Sequence, residues 1–380
     1  MTQTSNQLIF YAPLGNSIPH NKIGGAEVGC LKTLNIYKKA KLNISVIEKP
    51  ATSKGKLSYA INMFFVFFQL IKLLILKPRA PVHIVGFYRN VVFIEWFMMK
   101  FAKMLKHQVI YELRNGSMII SYKTGSKLYR YLLKSLLIQS DIVLCQGLEY
   151  IDFIENQWNL KRTYYPNYIM NKYVKKDLSS KIIPPIKLIY FGRITRSKNI
   201  LLMISILKQI RDHGIDANLS LIGASDKYYL KKIKEKISQL NLETHVFLSN
   251  RKSFDAITKE LESAHFFVFP SEETQEGHSN ALTEAMAFGV VPIVSNVGFN
   301  ASVCGLEELV IPSINAELYS NKIITILENN KWGDLSKFVH NRVLTNYTEN
   351  IVGKQLMDSI YSLNNHKKKQ AHISLFNTNV

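Results

Sequence analysis

The stretch that most constrains the fold is the run from Phe266 to Gly298, FFVFPSEETQEGHSNALTEAMAFGVVPIVSNVG. It opens with an apolar aromatic segment typical of a buried strand, which the polar residues 271–277 interrupt. From Ser279, a candidate hydroxyl N-cap, apolar residues recur at helical spacing until Gly289, a typical helix terminator. The run therefore predicts a strand, a loop, a helix and a second strand, as in a parallel α/β domain.

The first turn of the predicted helix is a suitable place for a phosphate. The N–H groups near Asn280, Ala281 and Leu282 lack helical partners there and lie at the positive end of the helix dipole. Two carboxylates flank this turn, Glu276 in the loop and Glu284 in the helix. Because a carboxylate beside a diphosphate would be repelled, we predict that both accept hydrogen bonds from sugar hydroxyls. The spacing of the two residues alone would favour the alternative that Glu276 is a solvated acid of the loop and Glu284 a solvated acid of the helix.

The segment EGHSNALTEAMAFGVVPIVSNVG, residues 276–298, resembles the donor-binding segment of the retaining GT-B glycosyltransferases of family 4, a group 1 glycosyltransferase family. That family has a glutamate pair around a helix start, followed by a glycine and a proline-containing strand. The resemblance implies an α/β fold with two Rossmann-like domains facing each other across a cleft. It also implies that Glu276 holds hexose hydroxyls and Glu284 the ribose of a nucleotide sugar. The other donor-binding residues it implies here are Gly277, His278, Ser279, Asn280, Ala281 and Leu282. For His278, simple packing is the alternative to a sugar contact.

A second basic motif follows the apolar segment 187–191, where cations cluster between a strand end and a helix start. Arg193 could fork to phosphate oxygens and Lys198 could act as a point charge, although a solvated basic loop is the simpler interpretation. The segment FGRITRSKN, residues 191–199, resembles the family's glycine-arginine and lysine pair. The resemblance implies that Gly192, Arg193 and Lys198 bind the diphosphate. It makes Arg193, Lys198 and Glu276 the predicted catalytic residues.

The N-terminal half carries weaker signals. Gly24 and Gly25 lie between a strand and a helix and would be an ordinary turn on their own, but they resemble the family's glycine-rich loop, which implies a contact with the donor diphosphate. Glu112, Arg114 and Asn115 lie at the end of the predicted strand 109–113, where the commonest family pattern is a His-Asp pair. We predict them as acceptor-side residues, with a satisfied surface arginine as the alternative for Arg114.

The chain length of 380 residues suggests two domains. Strand-like segments alternate with helical ones, and a stretch with three prolines and little periodicity separates the halves. The predicted parts are an N-terminal Rossmann-like acceptor domain at 1–165, a linker at 166–186, a Rossmann-like donor domain at 187–345, a helix at 346–363 that crosses back to the first domain, and a tail at 364–380.

The net charge of +20 is concentrated in the first half. Residues 1–180 have 25 basic and 9 acidic side chains, against 23 and 19 in residues 181–380. Such a field attracts phosphates, and no nucleic-acid recognition motif accompanies it, so we expect a membrane surface and no nucleic acid as partner. Lysines 100, 103, 123 and 127 would face anionic lipid or simply be solvated. The apolar run Ile61–Leu76 is shorter than the roughly 20 residues that a span needs, which favours a buried or interfacial helix.

The resemblance implies transfer of a hexosyl group, with retained configuration, from a UDP- or GDP-sugar to a hydroxyl. We expect a lipid-linked glycan acceptor of O-antigen or capsule synthesis, and a cytoplasmic enzyme peripheral on the inner face of the cytoplasmic membrane. No cofactor is expected. No DxD, HExxH or CxxC pattern is present, so no metal site is expected either. The alternatives are a nucleotide-sugar epimerase of the same fold and a non-enzymatic basic protein that binds membranes or nucleic acid.

Overall fold

The computed structural model describes residues 6–16, 24–50, 55–87, 91–175, 177–178 and 184–364. Contacts divide the chain into two units. The first unit contains the chain up to Pro166 together with the C-terminal segment from Asn350, and the second is Asn167–Glu349. The predicted tail lies outside the described residues from position 365 onward.

The first unit is a parallel sheet with helices. Its strands are β1 (Gln7–Ala12), β2 (Asn43–Glu48), β3 (Val82–Gly86), β4 (Val109–Leu113), β5 (Ile142–Cys145) and β6 (Arg162–Tyr164). Its helices are α1 (Gly25–Lys39), α2 (Lys56–Leu76), α3 (Val92–Met104), α4 (Met118–Thr124), α5 (Lys127–Gln139), α6 (Leu148–Trp158) and, at the C-terminal end, α14 (Glu349–Asn364). Among the described residues the strand order is β2-β1-β3-β4-β5-β6.

The order of these strands separates the helices onto two faces. The step from β1 to β2 runs toward one edge, whereas the steps from β2 to β3, β3 to β4 and β4 to β5 run toward the other. Because such crossovers are right-handed, α1 lies on one face and α2, α3 and α5 lie on the other. Side chains join these three helices into a layer: the Phe67 and Phe101 rings are 5.3 Å apart, and Trp96 Nε1 donates to Ser135 Oγ at 3.0 Å.

The second unit repeats the architecture. Its strands are β7 (Ile186–Phe191), β8 (Ala217–Ile222), β9 (Val246–Ser249), β10 (Phe266–Phe269), β11 (Val291–Ser295) and β12 (Val310–Ile311). Its helices are α7 (Ile200–Asp212), α8 (Lys227–Gln239), α9 (Phe254–Leu261), α10 (Asn280–Met286), α11 (Asn300–Cys304), α12 (Ala316–Glu328) and α13 (Trp332–Asn346). The order of the described strands is β12-β11-β10-β7-β8-β9. The predicted class, α/β with two Rossmann-like units, is confirmed.

Helix α2 differs from its prediction. It has 21 residues, and Leu57–Leu76 is long and apolar enough to cross a membrane by length and composition. The prediction that this segment is too short for a span is therefore wrong, because the helix continues N-terminally of Ile61 through polar positions. A core location is wrong as well, since only 22% of its most apolar window is buried.

Candidate active site

The two predicted donor loops of the second unit meet where its strand order reverses. Strands β7 and β10 pair in parallel, with Phe266 beside Leu188, and the chain continues from them toward opposite edges of the sheet. Ligands of open α/β sheets bind at the carboxyl ends of the strands at such a reversal. The Arg193 loop follows β7 and the Glu276 loop follows β10, so the topology places both at this edge.

Local backbone geometry directs Lys198 inward. Gly192, directly after β7, has φ +145°, a conformation that L side chains rarely adopt. The chain then forms a 3₁₀ turn over Arg196–Lys198, and Asn199, at φ 53°, leads into α7. The Lys198 side chain is 6% exposed as a result.

Lys198 is the centre of an ion-pair cluster with residues more than seventy positions away. Its Nζ lies 2.8 Å from Glu273 Oε2 and donates to Glu276 Oε2 and, at 3.3 Å, to Ser271 Oγ. It also lies 5.1 Å from the centre of the Phe269 ring. A buried ammonium needs such partners, because desolvation penalises an unpaired charge. The structure thus brings together Lys198 and Glu276, which the sequence predicted as separate contacts of one donor.

Glu276 is held from two directions. Ser271 Oγ donates to its Oε2 at 2.9 Å, on the side where Lys198 binds. Its backbone packs against Gly298, where an added Cβ would lie 1.9 Å from the Glu276 carbonyl oxygen and where φ is +60°. Only glycine fits there without a shift of the loop. The conformation of this loop therefore depends on the last residue of the motif.

Glu273 links the two cations and was not predicted from the sequence. Its Oε1 lies 3.4 Å from Arg193 Nη2 and its Oε2 contacts Lys198. Burial opposes its ionisation, but the hydrogen bond and charge of Lys198, together with Arg193, outweigh that effect and lower its pKa. Exposure increases across the cluster, from Lys198 to Glu276 at 13%, Glu273 at 29% and Arg193 at 64%.

The loop after β10 is also tied to the loop after β7. Asn199 Nδ2 donates to the Pro270 carbonyl and to Glu272 Oε2, both at 2.9 Å, and the Glu272 N–H donates to the Ser197 carbonyl at 2.8 Å. These bonds hold the backbone of the two loops in register while the side chains of Arg193 and Glu273 remain partly exposed.

Helix α10 starts where the sequence predicts. Ser279 is its N-cap, and its hydroxyl accepts from the Leu282 N–H at 3.4 Å. The predicted cap therefore uses the Leu282 N–H group, which is one of the three at which the sequence predicts a place for a phosphate. Gly277, Asn280, Ala281 and Glu284 are half-buried around this end of the helix.

His278 packs inside the second unit. It is 3% exposed, its Nε2 lies 2.5 Å from Thr283 Oγ1, and its ring packs edge-on against Tyr347 at 4.9 Å. Its carbonyl accepts from Asn167 Nδ2 at 2.5 Å. Of the two interpretations of this residue, the geometry favours packing over a side-chain contact with a sugar.

The glycine pair of the first unit has a different environment from the one predicted. Gly24 is the N-cap of α1, and its N–H donates to Glu27 Oε2 at 2.9 Å. A carboxylate of the same helix therefore already accepts the hydrogen bond of the Gly24 N–H group. Gly25 begins the helix, and residues 17–23 of the preceding loop lie outside the described residues.

The acceptor-side residues form a buried network at the end of β4. Glu112 Oε1 lies 2.5 Å from Arg114 Nε, and its Oε2 lies 3.0 Å from His83 Nε2. Tyr37 Oη continues the network, 2.6 Å from His83 Nδ1. Arg114 is 4% exposed, so the alternative of a surface arginine is wrong. Sequence reasoning missed His83, because its partner lies on the neighbouring strand.

Arg114 and Asn115 are each held by further contacts. Arg114 Nη2 donates to Thr33 Oγ1 at 3.4 Å, and Thr33 in turn lies 2.8 Å from Tyr165 Oη. Asn115 has φ 84°, and its Oδ1 accepts from the N–H and the hydroxyl of Ser117 at 3.1 Å each. Asn115 therefore caps the turn that follows β4.

The three cysteines, Cys30, Cys145 and Cys304, are buried thiols, and Cys30 lies close enough to the first cluster for the charges of Arg114 and Glu112 to act on it. Burial raises the pKa of Cys30 to about 12. Among the residues that the structure describes, no group of three or more His, Cys, Asp or Glu side chains could hold a metal ion. The cluster of the second unit consists of two cations, Arg193 and Lys198, and two carboxylates, Glu273 and Glu276.

Comparison with known proteins identifies a related family and a shared fold. Residues 177–341 match the family model described as glycosyl transferases group 1. WcaL of Escherichia coli K12, provisionally named a colanic acid biosynthesis glycosyltransferase, is 22% identical over 193 residues, which are 47% of this chain and 46% of WcaL. The matched part thus spans about half the length of that curated relative.

Two solved structures share the fold over nearly the whole chain. Sucrose-phosphate synthase from Thermosynechococcus elongatus has a TM-score of 0.70 at 16% identity, covering 94% of this chain and 98% of that one. Anabaena HepE in complex with UDP has a TM-score of 0.69 at 12% identity, covering 94% and 100%. The predicted resemblance is confirmed: residues 177–341 carry the sequence pattern of the group 1 glycosyltransferases, and the chain has the GT-B fold.

Proposed function

We propose that this protein is a retaining glycosyltransferase that transfers a hexosyl group from a UDP- or GDP-sugar to a hydroxyl of a lipid-linked glycan. The observation that carries the proposal is the cluster of Lys198, Arg193, Glu273 and Glu276 at the reversal point of a group 1 glycosyltransferase segment. The fold neighbour HepE has been solved with UDP and with UDP-glucose, which supports a nucleotide-sugar donor.

The charge of the cluster explains how a donor could bind. With two cations and two carboxylates, the cluster is formally neutral as it stands. A diphosphate brings about two negative charges at neutral pH, so one carboxylate has to move away from the cations. Glu273 is the more exposed of the two, and the contacts of its carboxylate described above are with the two cations. The Glu276 carboxylate also accepts a hydrogen bond from Ser271. In the proposal, Glu273 swings into solvent and the diphosphate replaces it.

The chain's own cations then stabilise the leaving group. Lys198, buried and preorganised, and Arg193, at the exposed rim, would bind the charge that develops on the departing diphosphate. Glu276 would accept hydrogen bonds from the hexose and Glu284 from the ribose. No side chain of this cluster is assigned as a nucleophile, so departure and attack on the same face of the sugar account for the retained configuration.

The acceptor assignment rests on charge and on a relative. Residues 1–180 carry most of the net positive charge, which suits a diphosphate-linked lipid at an anionic membrane. The name of WcaL refers to synthesis of a surface polysaccharide, colanic acid. We propose that the enzyme acts at the inner face of the cytoplasmic membrane, in the synthesis of a bacterial surface polysaccharide of O-antigen or capsule type.

A donor panel tests the activity. Thermal shifts are measured with UDP-, GDP- and ADP-sugars, since a ligand at a hundred times its dissociation constant adds about 2.7 kcal/mol of stability. The sugar that stabilises is then incubated in EDTA, with wild type and Lys198→Ala side by side. Release of nucleoside diphosphate by the wild type alone supports a metal-independent transferase. A 2-epimer product would identify an epimerase, and salt-sensitive polyanion binding with neither reaction would identify a basic binding protein.

A further inference from the structure

Helix α2 is apolar on both of its long faces. Met63, Val66, Leu70 and Leu74 recur at helical spacing and are buried against the first unit. The opposite face is exposed and carries mainly large apolar side chains up to Leu76, itself 64% exposed. A helix that is apolar all round is normally enclosed on every side, by protein or by lipid. In the described structure one side of α2 is therefore exposed to solvent, although its apolar composition is typical of a helix that is enclosed by protein or lipid.

The exposed apolar surface extends onto the neighbouring helices of the same layer. Six side chains between 46% and 65% exposed mark it on α2 and α3: Ile61, Phe64, Phe65, Phe68, Phe93 and Phe97. On α5, which packs beside α3, Leu128 and Tyr131 point outward as well. We call the outer side of these three helices the α2-α3-α5 surface. Contiguous apolar surface of this kind marks an interaction site.

The charges of the same surface are all of one sign. From residue 49 to residue 140 the sequence has only two acidic residues, Glu95 and Glu112. Both are buried, Glu95 beside Lys49 and Glu112 beside Arg114. Exposed basic residues lie among the apolar ones, and these include Lys72, Lys127, Arg130 and Lys134. Within α2, α3 and α5 the exposed side chains are therefore aromatic, aliphatic, polar or basic, and none is acidic. Asp141, just after α5, is a partly exposed carboxylate and pairs with Lys103 of α3.

We propose that the α2-α3-α5 surface docks on an anionic lipid bilayer, with α2 lying in the plane of the membrane and its phenylalanine face inserted at the level of the headgroups. Apolar groups flanked by cations fit the boundary between acyl chains and anionic headgroups. The proposal deepens the membrane location given above, and its biological purpose rests on the proposed lipid-linked acceptor. It differs from a purely electrostatic attachment, because insertion persists in salt.

The attachment of α2 to the first unit favours an in-plane helix over a span. Tyr11 Oη lies 3.8 Å from Met63 Sδ, inside the buried face of the helix. The two ring nitrogens of His107 lie 3.0 Å from the Leu74 carbonyl and 2.8 Å from the Ala80 carbonyl, at the C-terminal end of α2. A spanning helix would have to leave these contacts and expose the sheet beneath it.

The charge pattern also favours lipid over a second copy of the chain. In a two-fold symmetric pair the same patch meets itself, so the cations of one copy would face the cations of the other. Like charges brought together in this way oppose association, and no exposed residue of α2, α3 or α5 is acidic and could offset them. An anionic bilayer supplies the missing negative charge and an apolar layer at the same time.

Flotation of the full-length protein tests the proposal. Vesicles are made of phosphatidylcholine alone or mixed with phosphatidylglycerol, at low and at high salt. The wild type should float with both and prefer the anionic mixture at low salt.

Joint replacement Phe64→Ser, Phe65→Ser and Phe68→Ser should weaken partitioning by at least about tenfold at either salt concentration, because the inserted apolar area is lost. Joint replacement Lys127→Gln, Arg130→Gln and Lys134→Gln should lower partitioning into the anionic vesicles at low salt, by up to about fivefold for each residue near the bilayer. Partitioning into phosphatidylcholine vesicles should stay unchanged.

The matched control removes exposed aromatics elsewhere. Phe247 and Phe338, 53% and 38% exposed in the second unit, are replaced by Ser together, and flotation should equal that of the wild type. Thermal melting of each variant checks the fold. Unchanged flotation of the phenylalanine variant would overturn the proposal. Membrane-bound protein that resists alkaline extraction would also overturn it, because such resistance indicates a spanning helix. A dimer seen by light scattering that the phenylalanine variant no longer forms would overturn it as well, because the surface would then bind a second copy.

Donor hydrolysis without vesicles separates this inference from the proposed activity. The phenylalanine variant should hydrolyse the donor as fast as the wild type, since these residues are not in the donor cluster. A protein that floats as described and yet turns over no nucleotide sugar would retain the docking surface and refute the transferase.

Discussion

The two units each place charged side chains at the carboxyl edge of a parallel sheet, but the two clusters differ in depth. In the first unit the side chains of His83, Glu112 and Arg114 are at most 5% exposed, and their strongest contacts are with one another. In the second unit exposure rises stepwise from Lys198 to Arg193. A cluster that opens gradually to solvent can exchange an internal partner for a ligand. The closed cluster of the first unit has no partly exposed member among these three side chains that a ligand could replace in the same way.

This contrast separates the predicted site residues by role. We infer that Glu112 and Arg114 mainly stabilise the first unit and position the end of β4, whereas Lys198 and Glu276 bind the donor. Changes in the closed cluster should therefore alter stability, and changes in the open cluster should alter turnover or affinity.

The largest effect is expected for Glu112→Gln. The change leaves the buried Arg114 without its counterion, and breaking a buried pair in this way costs about 3–5 kcal/mol. Chemical denaturation should show this loss, while donor affinity of the folded protein stays the same. As a control, Glu235→Gln removes an exposed pair with Lys231 and should cost at most about 0.5 kcal/mol. Equal stability of the two variants would show that the first cluster is not structural.

The acid limb of stability gives a second measure of the same pair. Burial opposes ionisation of Glu112, but the charge of Arg114 and the hydrogen bond from His83 outweigh it and lower its pKa. Since the folded pKa lies below the unfolded value, the contribution is full above that unfolded value and is lost as the pH falls through the folded one. The wild type should therefore lose more stability on acidification than Glu112→Gln does. Parallel acid limbs would contradict the assignment.

In the open cluster the largest effect is expected for Lys198→Ala. Removal of one preorganised charge from the leaving group slows turnover by about a hundredfold or more. The measurement is nucleoside diphosphate release at saturating donor, with a melting curve to check the fold. Lys208→Ala, which removes an exposed pair with Asp212, is the matched control and should leave turnover unchanged. Near-normal turnover of Lys198→Ala would exclude the role.

Local patterns predicted the parts of this structure that depend on neighbouring residues. The strand, loop, helix and strand of residues 266–298 are found where periodicity and the Ser279 cap place them, because those signals act within a few residues. The extent of α2 was underestimated, since the apolar run was counted from Ile61 and left out residues 56–60, among them Lys56 and Ser58, which the helix includes.

Pairings across the fold were beyond the reach of the sequence. Glu273 has no signal of its own, because its role follows from two loops that the sheet brings together. Arg114 is buried because Glu112 pairs with it and His83 of the neighbouring strand pairs with Glu112. The residues next to Arg114 in the sequence do not reveal these contacts, so they are equally typical of an exposed strand end. The resemblance to a family supplied Lys198 and Glu276 as site residues. It did not supply their direct contact.

A smaller effect than that of Lys198 is expected for Glu284→Ala. If this half-buried carboxylate accepts a hydrogen bond from the ribose, its loss weakens donor binding by about 1.5–3 kcal/mol while the fold persists. Calorimetry with the donor identified in the panel measures the change. Glu262→Ala, an exposed carboxylate just after α9, serves as control and should bind normally. Wild-type affinity of Glu284→Ala would remove this residue from the site.

The smallest effect, and the sharpest test of an exchangeable cluster, is expected for Glu273→Gln. Because Glu273 pairs with both Arg193 and Lys198 in the empty site, its carboxylate competes with the donor diphosphate, and neutralising it should tighten donor binding. Partly exposed ion pairs are worth about 0.2–1 kcal/mol, so the dissociation constant should fall by at most about fivefold. The adjacent Glu272→Gln is a close control, since its side chain bonds Asn199 instead of the cations. Weaker binding by Glu273→Gln would mean that Glu273 holds the cations in position for the donor, and that the open cluster works by preorganisation, without exchange of a carboxylate for phosphate.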